Sequence, residues 1–225
     1  MRPSRFWLLH AWLPAALFLA ALTAIAALDL DRRVADALFF NRASGTWIGA
    51  GRWWAVDLIH TGGALFVRLA GLAALTAWVA SLFSGRLHGL RLRAGYVVLG
   101  MILSTSVVGG LKQLTRVDCP RDLAGFGGDR PYAPLLAYRA GDYPPGHCYP
   151  GAHASSGFSL MALYFALRDR RPGLARGALA ATLGIGIVFS VGQQARGAHF
   201  LSHDLMSAGL AWFLLLALWH RLLES

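Results

Sequence analysis

Charged residues are scarce in this chain, and that scarcity excludes an ordinary soluble domain. Only 14% of the 225 residues are charged, whereas 56% are hydrophobic. The mean hydropathy is +0.49. A soluble domain usually has about one quarter of its residues charged. The composition therefore indicates an integral membrane protein.

Lysine is almost absent, since Lys112 is the only one among 21 basic residues. The basic excess gives a formal net charge of +10, a value that also occurs in nucleic-acid-binding proteins. The arginines, however, lie along the edges of apolar segments rather than on one stripe, as expected for contacts with anionic lipid headgroups. We therefore expect the bilayer, and no nucleic acid, as a partner.

Six apolar runs approach the length of about 20 residues that crosses a bilayer. They cover residues 7–28, 63–83, 94–111, 153–167, 177–194 and 203–222. The fourth run is short for a span. The first has the basic start of a signal peptide but no convincing cleavage site after it, so we expect a retained helix. The sequence thus predicts a single domain over residues 1–225, an all-α polytopic membrane protein with six transmembrane helices.

The distribution of arginine sets the expected orientation. Ten basic residues fall in short loops and tails on one side of these runs, and nine fall in much longer segments on the other side. Because basic residues are denser in cytoplasmic loops, we expect both termini in the cytoplasm. The long segments at about 29–62 and 113–152 then face the periplasm of a bacterial inner membrane.

The first outer segment has a helical pattern of its own. Leu30, Val34 and Leu38 recur at helical spacing, and Trp47 and Trp53 follow. This pattern is typical of an amphipathic helix in the membrane interface with tryptophans at headgroup depth. Such a helix is either a structural anchor or a rim that guides a lipid substrate.

Cations also occur within or at the end of apolar runs. Arg68 is costly inside the second run and is expected to point into the helix bundle. Lys112 and Arg116 are four residues apart, so on a continuing helix they lie one turn apart on the same face. Two such cations repel each other unless an anion lies between them. The alternative is a lysine that snorkels from the end of a span.

A second cluster, "CYPGAHASSG", places small residues before a histidine. If His153 lies in the first turn of a helix, the amide groups at Gly151 and Ala152 point outward at the positive end of the helix dipole. Such a terminus binds anions, and His153 is placed to exchange a proton with a bound phosphate. The alternative is an ordinary helix start beside an interfacial histidine.

A third cluster, "GQQARGAHFLSHDLMSA", contains Arg196, His199, His203 and Asp204, with Ser202 as the expected N-cap of the last helix. The two histidines and the aspartate are also possible zinc ligands, but the neighbouring cations disfavour a bound cation. We therefore expect neither a metal nor a cofactor. Cations, exposed amides and histidines together are suited to phosphoryl transfer.

The order and spacing of these clusters resemble the membrane-bound PAP2 family, the type 2 phosphatidic acid phosphatases related to vanadium haloperoxidases. The family pattern is Lys-x6-Arg-Pro, then Pro-Ser-Gly-His, then Ser-Arg-x5-His-x3-Asp, and the similarity covers about residues 112–204. In this family the last-motif histidine attacks phosphorus and forms a phosphohistidine. The second-motif histidine protonates the leaving oxygen, basic residues hold the phosphate, and no metal is needed.

The resemblance implies roles for individual residues. Lys112 matches the first lysine, His153 the proton donor and His199 the nucleophile. Asp204 is expected to orient His199, although it lies one residue beyond the family position, where His203 stands. An alternative register makes His203 the nucleophile.

Several residues depart from the family pattern, as in a divergent bacterial branch with a "CP-x-D-L" segment. Cys119 stands where arginine is expected, so Arg116 or Arg121 must supply that charge. Gln193 stands six residues before the predicted nucleophile, where the family has arginine, and Arg196 follows three residues later. Glycine and alanine replace serine and glycine in the second motif, which leaves the amide groups in place.

The two cysteines lie beside the first and second motifs. Outside the cytoplasm a disulfide between Cys119 and Cys148 persists, and it would tie the element of Lys112 to that of His153. Two free thiols in an apolar site are the alternative.

The resemblance implies an integral-membrane lipid phosphatase that hydrolyses a phosphate monoester or pyrophosphate of an envelope lipid. Undecaprenyl pyrophosphate, phosphatidylglycerophosphate and lipid A phosphates are the candidate substrates. A phosphotransferase that moves phosphate from a lipid donor to lipid A, and a non-catalytic binder or transporter of lipid phosphates, are the alternatives. The sequence leaves the oligomeric state open.

Overall fold

The computed structural model describes residues 3–134 and 144–224, and almost all of their regular structure is helical. The α-helices are α1 (Pro3–Trp7), α2 (Leu13–Ala27), α3 (Leu30–Val34), α4 (Gly63–Phe83), α5 (Arg91–Thr115), α6 (Ala152–Ser159), α7 (Ala162–Leu167), α8 (Pro172–Ala195) and α9 (Leu201–Leu222). Helical turns of wider or tighter pitch occupy Leu8–Trp12, Ala35–Phe39, Trp54–Gly62, Gly85–Leu90 and Pro120–Asp122. The strands form one short antiparallel hairpin, β1 (Phe40–Asn41) with β2 (Thr46–Trp47).

Five helical segments in the described part of the chain are long and apolar enough to cross a membrane. They are Arg5–Ala27, Trp54–Phe83, Gly85–Asp122, Pro172–Ala195 and Leu201–Leu222. Each of them contains most of one predicted apolar run. The chain is therefore a multi-pass helical membrane protein, whereas the count of six spans and the orientation of the termini stay predictions.

The remaining run, residues 153–167, does not form one continuous helix. It folds as α6 and α7, because the amides of Leu160 and Met161 donate to the carbonyls of Gly157 and Phe158 three residues earlier and so tighten the chain between the two helices. Helix α6 packs against α5, α8 and α9. This position places the start of α6 in the middle of the helix bundle.

Close packing and hydrogen bonds hold the long helices together, since lipid tails are as apolar as the side chains that face them. Tyr96 of α5 is fully buried and its hydroxyl donates to the Leu215 carbonyl of α9 at 2.8 Å. Phe165 of α7 and Met161 are buried in the same cluster. This core packs together the helices that carry the three clusters and so holds them in place relative to one another.

The first outer segment is helical where the sequence predicts it, over α3 and the following turn Ala35–Phe39. One expectation for its tryptophans is wrong. The side chain of Trp53 is exposed, but Trp47 is only 6% exposed because it packs in a second cluster with Phe40, Phe126 and Phe200. Trp47 is therefore a packing residue rather than an anchor at headgroup depth.

The outer segments bind to the turn that follows α8. The amide of Gly49 donates to the Ala195 carbonyl at 2.8 Å, and the amide of Arg121 donates to the Gly197 carbonyl at 3.0 Å. Gly197 has a φ of +66°, and a Cβ there would lie 2.4 Å from the nearest atom of the Trp47 indole. Only glycine combines this backbone conformation with this contact.

Helix α9 receives its cap from a distant part of the chain. The sequence predicts Ser202 as the N-cap, but the helix begins at Leu201, and the Asp31 carboxylate accepts both the Ser202 amide at 2.8 Å and the Ser202 hydroxyl at 2.6 Å. Burial raises the pKa of Asp31, and the two hydrogen bonds from Ser202 act in the opposite direction. The segment after α2 thereby fixes the start of α9.

We expect Gly197→Ala to lower the thermal stability of the detergent-solubilised protein. A residue with a side chain in the left-handed region costs about 1 to 3 kcal/mol, and the new Cβ also collides with Trp47. Gly177→Ala is the matched control, since Gly177 lies in α8 with no atom within 4 Å of its Cβ position. Equal melting temperatures for the two variants would contradict the structure of this turn.

Candidate active site

A hydrogen-bonded pair of His199 and Asp204 lies at the start of α9. The imidazole Nδ1–H donates to the Asp204 Oδ1 at 2.7 Å, and both side chains are buried. The second carboxylate oxygen, Oδ2, accepts the Gln194 side-chain amide at 2.9 Å. Because both oxygens of the carboxylate are bound, the ring of His199 is held in one orientation, with Nε2 as the nitrogen that can attack an electrophile.

His203, the alternative nucleophile, is arranged differently. Its ring packs edge-on against Tyr149 and Phe200, with centroids 5.2 and 5.6 Å away, and lies 6.1 Å from the ring of His199. Asp204 makes its hydrogen bond to His199 and not to His203. The geometry therefore favours the register in which His199 is the nucleophile.

The main chain of the second cluster lies directly against this pair. A Cβ at Gly151 would lie 2.7 Å from both the Nδ1 of His199 and the Oδ1 of Asp204. The Gly151 amide donates to the His203 carbonyl at 3.1 Å, and its carbonyl accepts the Ser207 hydroxyl at 2.9 Å. The expectation that the Gly151 amide binds phosphate is therefore wrong, because this amide is already paired within the protein.

His153 lies in the first turn of α6, where the sequence predicts it, one residue after Ala152. Its ring stacks on Phe189 with a centroid distance of 4.4 Å, and its Nε2 donates to the Ile59 carbonyl at 3.2 Å. The ring of His60 lies 4.7 Å from it. These contacts hold His153 between Phe189 of α8 and the turn Trp54–Gly62, which carries Ile59 and His60.

Two hydrogen bonds connect Arg196 through Gln193 to His60, the histidine beside His153. The Arg196 guanidinium donates to the Gln193 Oε1 at 2.9 Å, and the Gln193 amide nitrogen donates to the His60 Nδ1 at 2.9 Å. Gln193 stands where the family pattern has arginine. In this chain the glutamine instead positions a different arginine, Arg196. Burial lowers the pKa of Arg196, and the charge of Arg121 lowers it further.

The cations of the first motif are only partly where the sequence predicts them. Helix α5 ends at Thr115, and Arg116 is exposed with a left-handed φ of 55°. Arg116 therefore does not lie one helical turn from Lys112 on the same face, and that expectation is wrong. Arg121 is half-exposed, and its charge acts on both Lys112 and Arg196. Of the two arginines, Arg121 is the one that lies near the other cations.

Cys119 and Cys148 are joined in a disulfide with their Cα atoms 5.1 Å apart. The Cys148 amide donates to the Val117 carbonyl at 3.0 Å, and the Thr115 hydroxyl donates to the Tyr149 carbonyl. The end of α5 and the segment that leads into α6 are therefore held side by side by covalent and hydrogen bonds.

A cavity of about 780 Å³ opens beside His153, between α4, α5 and α6. Its polar lining includes His60, Arg68, Thr105 and Ser156, and the rest of its wall is mostly aliphatic. Within the residues that the structure describes, no group of three or more histidine, cysteine or acidic side chains is placed to hold a metal ion. The cavity is suited to an apolar chain with a polar end at the histidines.

A family model described as the PAP2 superfamily matches residues 93–224, more than half of the chain. The chain belongs to the PAP2 superfamily. Its members are generally phosphatase-type hydrolases, so this is a phosphatase-type membrane protein. No curated protein and no solved structure matched the chain.

Three residues of this PAP2 site were missed by sequence reasoning: His60, Gln193 as a bridge, and Gln194. His60 precedes the match to the family model and belongs to none of the three motifs. One signal could have found it, since it is a histidine beside small residues at the start of an apolar run, as His153 is. Gln194 carried no signal, because its role depends on the contact between α8 and α9.

The second motif offers a test in which a substitution toward the family pattern is expected to reduce activity. We expect Gly151→Ser, which restores the serine of the family pattern, to reduce phosphatase activity strongly, since any Cβ there displaces His199 or Asp204. Ala152→Gly also restores a family residue and is the matched control, with activity close to that of the wild type. Activity is measured as phosphate released by purified protein, with a melting curve for each variant. An active Gly151→Ser enzyme would show that the close approach is not required.

Proposed function

We propose that this protein is a lipid phosphatase of the bacterial inner membrane that hydrolyses a phosphate monoester or pyrophosphate of an envelope lipid through a phosphohistidine. The observation that carries the proposal is the buried hydrogen bond between His199 and Asp204. It leaves Nε2 of an oriented imidazole as the attacking atom, close to a second histidine that borders an apolar cavity.

In the first step, Nε2 of His199 attacks phosphorus, and the bond from phosphorus to the lipid oxygen breaks. Protonated His153 keeps its Nε2–H on the Ile59 carbonyl and gives its Nδ1 proton to that oxygen, so the lipid leaves as a neutral alcohol or a protonated phosphate. Asp204 holds the Nδ1 proton and stabilises the positive charge that the ring acquires. The products of this step are the dephosphorylated lipid and a phosphohistidine.

In the second step, water attacks the phosphohistidine and phosphate leaves. His153, now neutral, takes a proton from the water, and His199 regains its lone pair on Nε2. Both imidazoles thereby return to their starting states. The use of one histidine as acid and then as base follows from microscopic reversibility.

The phosphoryl oxygens carry most of the charge during transfer and need cations around them. Among the cations, Arg196 is linked to a histidine of the site, since Gln193 accepts its hydrogen bond and donates another to His60. Lys112 and Arg121 add two charges from the first motif, and the amide of Ala152 is a further candidate donor. Arg116 is the weakest of the proposed ligands because it is exposed and lies just beyond the end of α5.

The proposed topology has six spans, with both termini in the cytoplasm and the site at the periplasmic side. The density of arginine in the short loops supports this orientation. A disulfide between Cys119 and Cys148 supports an oxidising environment for the same side. Undecaprenyl pyrophosphate, phosphatidylglycerophosphate and lipid A phosphates are the proposed substrates at that side.

The nucleophile is tested with His199→Ala and His203→Ala in purified protein, with a panel of lipid phosphates and a chelator present. We expect His199→Ala to reduce phosphate release to the background rate and to abolish acid-labile phosphoprotein. His203→Ala is the matched control, a buried histidine on the same helix start, and is expected to keep most of the activity. The opposite result would assign the nucleophile to His203.

The same assay separates the alternative functions. A phosphotransferase would move labelled phosphate from the donor lipid to a second lipid instead of to water. A binder or transporter would bind the lipid phosphate and form no phosphohistidine. Transfer of labelled phosphate to lipid A in a mixed vesicle, without release of free phosphate, would reject hydrolysis and identify a phosphotransferase.

The topology is tested by labelling introduced cysteines with a maleimide that does not cross membranes. We expect Ser44→Cys, in the outer hairpin, to react in spheroplasts, and Gly89→Cys to react only after the membrane is opened. Both positions are exposed in the structure. Reaction of Gly89→Cys in intact spheroplasts would reverse the proposed orientation.

A further inference from the structure

The cavity beside His153 contains a positive charge that the proposed reaction does not use. Arg68 of α4 lines it, together with His60 and His153. The residue is exposed, so the expectation that Arg68 points into the interior of the helix bundle is wrong. No acidic side chain lines the cavity, and within the described residues the Arg68 guanidinium makes no hydrogen bond or ion pair. An arginine among aliphatic side chains in a membrane span is costly unless an anion or water meets it. The cavity is therefore suited to a ligand that carries an anionic group.

The direction of the Arg68 side chain follows from helix geometry. Side chains on an α-helix lean toward its N-terminus, and the N-terminal end of α4 continues into the turn that carries His60. Eight residues separate His60 from Arg68, which corresponds to a rise of about 12 Å. The Cα–Cβ bond of Arg68 therefore points toward the end of the helix that carries His60, and both residues line the same cavity.

The charges of the site fall into two groups. Arg68 lines the cavity beside His153, whereas His199 and Arg196 are not among the residues that line it. In an in-line displacement the leaving group departs opposite the nucleophile. Since His153 protonates the leaving oxygen, the atoms beyond that oxygen lie in the cavity with Arg68.

We propose that Arg68 is a specificity-determining residue that binds the phosphate remaining on the lipid when the terminal phosphate of a lipid diphosphate is removed. The inference rests on the proposed function, because it needs His199 to attack the terminal phosphorus. The bond between that phosphorus and the bridging oxygen breaks, and the proton from His153 goes to the bridging oxygen. Arg68 then neutralises the lipid monophosphate that leaves, while the aliphatic wall of the cavity holds the lipid tail.

Farnesyl diphosphate and farnesyl monophosphate test the assignment, since they share one tail and differ in one phosphate. We expect Arg68→Gln to lower kcat/KM for the diphosphate about tenfold or more, the effect of one lost hydrogen bond to a charged group, and to change the monophosphate value by less than about twofold. Arg68→Lys, which keeps the charge, should retain part of the diphosphate activity. Arg52→Gln is the matched control, because Arg52 is exposed as Arg68 is but does not line the cavity.

A binding experiment separates this proposal from the proposed function. The probes are the non-hydrolysable farnesyl methylenebisphosphonate and farnesyl phosphonate, and the measurement is the ratio of their dissociation constants. A preference for the bisphosphonate that disappears in Arg68→Gln supports the assignment even if the wild type releases no phosphate, a result that would reject only the phosphatase. No preference in the wild type, an unchanged ratio in Arg68→Gln, or equal weakening of both probes would overturn the role of Arg68.

Discussion

The hydrogen bond between His199 and Asp204 is the interaction on which the rest of the site depends. A carboxylate this deeply buried is costly unless its oxygens are bound, and the chain binds both of them, one with the imidazole and one with Gln194. The carboxylate is therefore held in one orientation, and so is the imidazole that is hydrogen-bonded to it. The end of α8 and the start of α9 must consequently stay in a fixed relation for the site to exist.

The surrounding structure keeps that relation. Gly151 brings the segment before α6 into contact with the pair, so that His153 cannot move away independently of His199. The disulfide and the main-chain hydrogen bond of Cys148 attach the same segment to the end of α5. The segment before α6 is thereby attached both to the end of α5 and to the His199–Asp204 pair.

Much of this arrangement could be predicted from the sequence, for physical reasons. The length needed to cross a bilayer is a strong constraint, and five of the six apolar runs correspond to long helices. The residues of the second and third motifs come together because motif spacing reflects the fold of the family. The break between α6 and α7 carried no such signal, since residues 153–167 are uniformly small or apolar.

The misplaced residues have a common cause. The sequence predicts a continuing helix at Arg116, because nothing in the side chains around it marks the left-handed residue that follows α5. Gln193 reads in the sequence only as a missing arginine, because its role depends on the contact with His60. Residue type predicts Trp47 at the membrane interface, whereas its position follows from the close packing at Gly197. The positions of all three residues depend on contacts between distant segments. The spacing of residues along the chain does not reveal those contacts.

The match to the family begins at residue 93, yet Asp31, Trp47, Gly49 and His60 all act on the turn or the helix that carries His199. The first third of the chain is therefore part of the framework that holds the His199–Asp204 pair and not a detachable anchor. A substitution at one of the first three of these positions would reduce turnover by displacing a histidine through the backbone, without touching the substrate. Inactive variants from that region consequently report on how the framework is assembled rather than on which lipid is bound.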